Sequence, residues 1–319
     1  MGHPSPATTA TPTTLADDDL PLLFRQTDKA AIRAQKRFFN LLRAELVLLL
    51  AGTLAGLFSF LPFKVGPLTI SGVHIPALPV ADLVAAVFIL IALIMRLIRF
   101  FRHPDTLWYE ARAVAESAKS LGWRYAVGGR PFDLTLDLGA ADALLIQRLQ
   151  DSLKDVRKIA GRITFSEAGQ VTTVMRDLRQ QDAATRHRVY QERRIEDQQH
   201  WYARKAIWNK HQEWLFHWIL VALEIIGASL AILEAFKVIP SNFQALVVAL
   251  VSAGIAWTQA RRYQDLRASY NVAAKEAQSL AEAVPRHMPE VIADWAQFVD
   301  EAEEAFSREH RLWRATRDE

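Results

Sequence analysis

Four long apolar runs, arranged in two pairs, constrain this chain more than any other feature of its 319 residues. The first is Leu46 to Phe63, without a charge. The second has its core at Leu83 to Met95 and lengthens through a mostly apolar lead-in and flanking arginines that can snorkel. The third, Trp214 to Phe236, carries Glu224 and Glu234. The fourth is Val238 to Ala260, again uncharged. A helix needs about 20 mainly apolar residues to cross a hydrocarbon core of about 30 Å. Soluble helices are rarely apolar on every face. The runs therefore predict four transmembrane helices, at about 44–63, 79–100, 214–236 and 240–260.

The charges beside the runs predict their orientation. Arg25, Lys29, Arg33, Lys36, Arg37 and Arg43 precede the first run, interrupted by one acid, Asp28. Arg96, Arg99 and Arg102 follow the second. Arg204, Lys205 and Lys210 precede the third, and Arg261, Arg262 and Arg267 follow the fourth. The connections inside the pairs hold only Lys64 and Asp82 in one and Lys237 in the other. Cytoplasmic loops are the ones enriched in Lys and Arg, so the pattern predicts two hairpins with both termini cytoplasmic, in a cell (inner) membrane. Trp214, Trp218 and Trp257 lie near run ends, where indole rings favour the interface.

Composition closes off several alternatives. The chain has no cysteine, which excludes a disulfide scaffold, a thiol nucleophile and Cys-ligated zinc or iron–sulfur sites. Hydrophobic residues make up 51%, yet mean hydropathy is only +0.03, because charged segments offset the runs. Residues 1–20 are rich in Thr, Pro and Ala, lack a signal-peptide pattern and read as a disordered tail.

Residues 103–213 carry 18 Lys and Arg against 15 Asp and Glu, a near balance that does not suit a nucleic-acid arm. Thr106 to Trp123 predicts a helix continuing from the second span and stopped by Gly122 and Val127-Gly128-Gly129. Ala140 to Ala160 predicts another, with Leu144, Leu145, Leu149 and Leu153 at helical spacing. No Gly or Pro occurs from Gln170 to Ile226, which predicts one long helix feeding the third span, with Arg179 to Arg188 as its weak point. The fourth span should extend as helix through Leu280. A last helix, Pro289 to Arg314, shows an apolar stripe of Ile292, Trp295, Phe298, Val299, Ala302 and Phe306, suited to packing on the other helices or to docking a partner.

The two halves share an internal repeat. Gly52 and Gly227 hold similar places in the first helix of each pair, and Ala115–Leu121 (AESAKSL) aligns with Ala274–Leu280 (AKEAQSL) at an offset of 159. The expected organisation is a tail at 1–20, a first two-span repeat at 21–135, a helical connection at 136–180 and a second two-span repeat at 181–319.

No phosphate-binding loop, dinucleotide fingerprint, nucleophile elbow or zinc-protease motif occurs. The nine histidines make no i, i+4 ligand pair, and Glu303 and Glu304 read as a solvated helix face. The chain is therefore expected to be no enzyme, with no cofactor and no metal. Glu224 lies near the middle of the third span, where a charged side chain costs about 2.5–3.5 kcal/mol on insertion scales. It reads either as a pathway-lining carboxylate or as a protonated or hydrogen-bonded link to Ser252 or Gln244. Glu234 is nearer the outer surface and close enough in sequence to pair with Lys237. Small residues at helix-packing spacing occur as Gly52 and Gly56, Gly227 and Ala231, and Ala249 and Ala253.

The segment WYEARAVAESAKSLGWRY, with Trp108, Ala115, Glu116, Lys119, Trp123 and Tyr125, resembles the stretch after the second span in SLATT domains. The ending FVDEAEEAFSREHRLW (Phe298 to Trp313) resembles the close of a second SLATT variety. Over about 21–315 the resemblance implies two tandem two-transmembrane domains of a group associated with nucleotide-sensing and nucleotide-synthesising modules in bacterial conflict (anti-phage) systems. It implies a membrane effector that perforates or depolarises the membrane, triggered through its cytoplasmic helices by a sensor protein or a nucleotide signal.

The combined expectation is an all-α integral membrane protein of two helical-hairpin repeats with a cytoplasmic helical domain. It would act as a homo-oligomeric, pore-forming or channel-like effector among membrane lipids, without nucleic acid. The alternative is a non-conducting membrane scaffold presenting a helical platform to cytoplasmic partners.

Overall fold

A computed structural model describes residues 14–59, 61–70, 73–75, 77–154, 156, 159, 161–239, 243–284 and 291–315. The helices are α1 (Leu22–Gly56), α2 (Val80–Arg102), α3 (Pro104–Val127), α4 (Leu138–Lys154), α5 (Thr173–Gln180), α6 (Ala183–Tyr190), α7 (Asp197–Ala235), α8 (Phe243–Arg261), α9 (Tyr263–Ala283) and α10 (Ile292–Ala315). A π-helical segment, Gln191–Glu196, joins α6 to α7. The chain divides into a unit of residues 34–105 and 207–267, which holds the spans, and a unit of residues 1–33, 106–206 and 268–319.

In the span unit, four helices are long and apolar enough to cross a membrane. The first ends at Gly56, short of the expected Phe63, because Leu57 to Ser59 turn out of the helix ahead of Pro62. The second needs no borrowed length: α2 is 23 residues, or about 35 Å at 1.5 Å per residue. Four short strands join α1 to α2. Lys64–Val65 pairs antiparallel with Leu78–Pro79, and Leu68–Ile70 pairs with Val73–Ile75 inside it. Such two- and three-residue strands leave no period to read, so the sequence showed only a connection.

Each hairpin closes on a glycine. A Cβ on Gly52 would lie 3.3 Å from the Ala85 carbonyl oxygen and 3.4 Å from the Ile89 side chain. One on Gly227 would lie 3.1 Å from the Val247 side chain. Gly56 has nothing within 4 Å of that position, so it makes no helix contact among the described residues. Ala231, Ala249 and Ala253 are half-buried. Glu45, almost wholly buried, takes Arg96 and Arg99, each at 2.8 Å. Phe39 meets Trp257 edge-on, and Arg261 lies 4.1 Å from the centre of the Phe39 ring.

The second and fourth spans end alike. His103 (φ +42°) and Arg262 (φ +52°) are single left-handed residues, and α3 and α9 start at the next residue. Positions 103 and 262 stand 159 apart, the offset that aligns the two A-x-x-A-x-S-L segments. The repeat is therefore present in the backbone as well as in the sequence.

The other unit is helical around a core that includes Leu23, Tyr125, Phe132, Leu149, Tyr190 and Trp295. Three expectations are corrected there. Residues 14–20, expected to be disordered, form a short 3-10 turn with Leu15 and Leu20 buried, since Thr172 donates to the Asp19 carbonyl at 2.6 Å and Lys119 pairs with Asp17. Residues 1–13 lie outside the described residues. Gly122 does not stop α3; a Cβ there would come 2.8 Å from Pro21, so this glycine admits the chain against the helix. The stop is Gly128, at φ +79°. Third, Gln170 to Ile226 is not one helix: it starts at Thr173 and breaks at Gln181 and Asp182, inside the weak point expected at Arg179 to Arg188. Thr172 and Asp182 accept from the backbone N–H of Met175 and Thr185 and start new helices, as N-caps do. The stripe on α10 packs within its own unit: Trp295, Phe298, Val299, Ala302 and Phe306 are at most 8% exposed. Ile292 is exposed, and Pro289 lies outside the described residues.

Candidate functional site

Helix α7 carries chemistry at both ends. In its spanning part no residue of the most apolar window is buried. Glu224 is exposed there and Glu234 half-buried, and neither has a hydrogen bond or ion pair among the described residues. The link from Glu224 to Ser252 or Gln244 is absent among the described residues, and both of those side chains are exposed. Glu234 does not pair with Lys237 through side chains. The lysine has left the helix at φ +56°, and only its backbone N–H donates to the Glu234 carbonyl, at 2.8 Å.

At its other end α7 lines a cavity of about 680 Å³ within the helical unit. Arg112, Glu116, Lys119 and Trp123 enter from α3, spaced to fall on one face. Arg193 and Arg194 come from the π segment, and Asp197, Gln198, Trp201 and Arg204 from the first turns of α7. Asp17 and Asp28 complete the acidic lining. Most charges are matched: Arg112 bridges Glu116 and Asp28, and Lys119 takes Asp17 at 2.8 Å. Burial opposes the charge of Arg112, but Glu116 and Asp28 outweigh it and raise its pKa. Arg193, Arg204 and Asp197 are exposed and lack a partner among the described residues.

Beside the cavity runs a buried ion pair. Arg194 donates to both carboxylate oxygens of Glu303, at 2.8 and 2.7 Å, and Tyr190 donates to the same carboxylate at 3.1 Å. The side chains are 3% and 0% exposed. Burial works against the arginine's charge, yet Glu303 lifts its pKa above the ordinary value; burial and Glu303 together push Tyr190 well up.

Residues 21–187 match the family model described as SMODS and SLOG-associating 2TM effector domain 3, and residues 190–313 match that of SMODS and SLOG-associating 2TM effector domain 1. The chain belongs to the SLATT family. Neither a curated protein nor a solved structure matches it. With two 2TM domains and four apolar helices, it is a multi-pass membrane protein. The seam between the two SLATT matches falls at 187–190, the C-terminal end of α6, just before the π segment.

The SLATT motif residues divide into four roles. Glu116, Lys119 and Trp123 line the cavity, while Ala115 is wholly buried in helix packing. Tyr125 donates to Asp142, and Arg179 stands over its ring while donating to the Tyr125, Phe132 and Asp133 carbonyls. Trp108 stacks on Tyr109. Glu303, expected on a solvated face, is instead the most buried acid of the unit, because α10 turns that face onto Arg194 and Tyr190. Arg193 and Arg194 were not singled out in the sequence, and Arg204 was read only as a basic flank of the third span. Their only signal there is density of charge in a stretch without Gly or Pro, which a solvated helix shares.

Proposed function

We propose that this SLATT chain is a membrane effector whose copies assemble to conduct ions across a cell membrane, with Glu224 facing the conducting path and the helical unit on the cytoplasmic side controlling it. The supporting observation is the exposed, unpartnered Glu224 partway along a span with no buried residue in its most apolar window. A carboxylate exposed to lipid is expensive, and such groups face a bundle interior or a water-filled cavity. The hairpins of one chain leave it on their outside, so a second copy or water must cover it. Basic residues at the α1 start and the α8 end, against few in the connections within the pairs, support a cytoplasmic location for the helical unit. The matched families are described as SMODS- and SLOG-associating effector domains, which supports a trigger delivered from such a module.

The test is ion flux in vesicles reconstituted with the purified protein, alongside its mass in detergent or nanodiscs. The expected result is an oligomer with cation-preferring flux, and a loss of that preference in Glu224→Gln. A protein that is monomeric and conducts no ion, with Glu224→Gln altering stability alone, would overturn the reading in favour of a non-conducting scaffold.

A further inference from the structure

Basic residues crowd one end of the span unit, and the acids there answer only some of them. Residues 34–45, 96–105, 207–213 and 261–267 make up that end and hold ten Lys and Arg against four Asp and Glu. Glu45 takes Arg96 and Arg99, Glu213 takes Arg267 at 3.1 Å, and Asp265 takes Arg262 at 2.8 Å. Arg43 and Arg261 have no carboxylate and no hydrogen bond among the described residues. An excess of positive charge therefore survives the count of acids.

The two unanswered guanidinium groups share one indole ring. Arg43, from α1, lies 5.5 Å from the centre of the Trp257 ring. Arg261, the last residue of α8, lies 4.9 Å from that ring and 4.1 Å from the ring of Phe39. Phe39 is buried and meets Trp257 at 5.9 Å, so an aromatic pair from α1 and α8 fixes where both charges stand. A ring face attracts the charge but leaves most of the five guanidinium donors unanswered. Arg261 is half-buried, and its buried Nε has no hydrogen-bond partner. A buried donor left unmade carries a desolvation penalty, which an oxygen acceptor removes.

Depth in the chain says which acceptor is at hand. Arg43 stands three positions ahead of Leu46, where the first apolar run begins, and Arg261 directly follows Ala260, where the fourth ends. Both groups therefore sit at the edge of the hydrocarbon core, beside the headgroup layer. The anion held at that depth is the phosphate of a phospholipid, and guanidinium forks match phosphate oxygens bidentately. Basic pockets between spans at this level take anionic headgroups. A zwitterionic headgroup would bring a cation into a site that is already positive.

We propose that Arg43 and Arg261, set on Trp257 and Phe39, form a site for the phosphate of an anionic phospholipid. The helices α1 and α8 lie in different SLATT matches, so one bound lipid ties the two domains together. Lipid binding here does not depend on conduction, and it is measured without flux.

The experiment is native mass spectrometry of the full-length protein in detergent, titrated separately with phosphatidylglycerol, phosphatidylcholine and soluble glycerol phosphate. The expected result is saturable phosphatidylglycerol binding, about tenfold or more tighter than that of either other probe, and weakened about tenfold in Arg43→Gln, Arg261→Gln. The double variant Lys36→Gln, Arg37→Gln removes as much charge from exposed positions of α1, and should change the affinity less than about threefold, since exposed charges are screened. A melting profile taken without lipid checks the fold of each variant. Where the glutamine pair melts lower, Arg43→Lys, Arg261→Lys carries the test: it keeps both charges and loses both forks, so binding should still weaken. Three results overturn the proposal. They are phosphatidylcholine or glycerol phosphate binding as tightly as phosphatidylglycerol, equal losses from the Lys36, Arg37 pair and the Arg43, Arg261 pair, and undiminished binding in the lysine pair.

Discussion

Arg194 and Glu303 show how much one buried pair can hold. Two charges taken out of water are tolerable together, while removing one partner leaves the other uncompensated, at a cost of about 3–5 kcal/mol. Glu303→Ala should therefore lower the thermal midpoint of the detergent-solubilised protein sharply. The double variant Arg194→Met, Glu303→Leu should recover most of the loss, and a double variant as unstable as the single would contradict this account. The tyrosines carry a pH signature. Burial raises the Tyr125 and Tyr190 phenols, aided by Asp142 and by Glu303. Below the ordinary tyrosine value near 10 both folded and unfolded states keep the proton, so stability is fully present. As pH rises from there towards the raised folded values, only the unfolded state ionises, and stability falls by up to about 1.4 kcal/mol per pH unit for each group. Unfolding measured from pH 9 upwards should show that decline, and Tyr125→Phe should make it shallower. Residue roles were the least legible part of the sequence. Glu303 beside Glu304 looks like any solvated acid pair, and the partner that decides its burial lies 109 positions away.

The elements were far more legible, because hydrophobic period and length act locally. All four spans were readable from their apolar runs, whereas of the two glycines in the G-x-x-x-G pattern a Cβ at Gly52 would meet the neighbouring helix and one at Gly56 would meet nothing within 4 Å. Spacing alone does not say which of two small residues meets the neighbouring helix. Gly52→Leu should therefore weaken the first hairpin, since its side chain would run into the Ala85 backbone, whereas Gly56→Leu should be nearly silent. Comparing the two thermal midpoints checks it, and equal effects would contradict the packing described. Of the breaks in the stretch 170–226, the one at Asp182 falls inside the expected weak point, Arg179 to Arg188, whereas the start at Thr172, also an N-cap residue type, was outweighed by the absence of Gly and Pro. The left-handed residues after the second and fourth spans were not legible, since positive φ is uncommon for any non-glycine residue; histidine is enriched there, but arginine is not. A non-glycine residue held there costs about 1–2 kcal/mol. His103→Gly should thus raise the thermal midpoint; a lower midpoint would show that the His103 side chain contributes more than its backbone costs.

At the scale of the whole molecule, the charge pattern predicts how the chain is threaded, and its freedom from cysteine makes that prediction directly testable. A membrane-impermeant thiol reagent applied to intact cells should label Ser59→Cys and Val238→Cys, in the connections within the pairs. It should label Arg148→Cys on α4 only after lysis. The reverse pattern would contradict the orientation assigned from the basic residues. The central claim is that Glu224 meets water and a second copy of the chain, and no longer apolar run or motif could have shown it, because it concerns what lies outside one polypeptide. It is tested most directly by Glu224→Cys in otherwise unchanged membranes. The account predicts modification by a charged, water-soluble thiol reagent and covalent dimers on mild oxidation. A residue 224 thiol that neither reacts with that reagent nor cross-links would place the position against lipid and contradict the account.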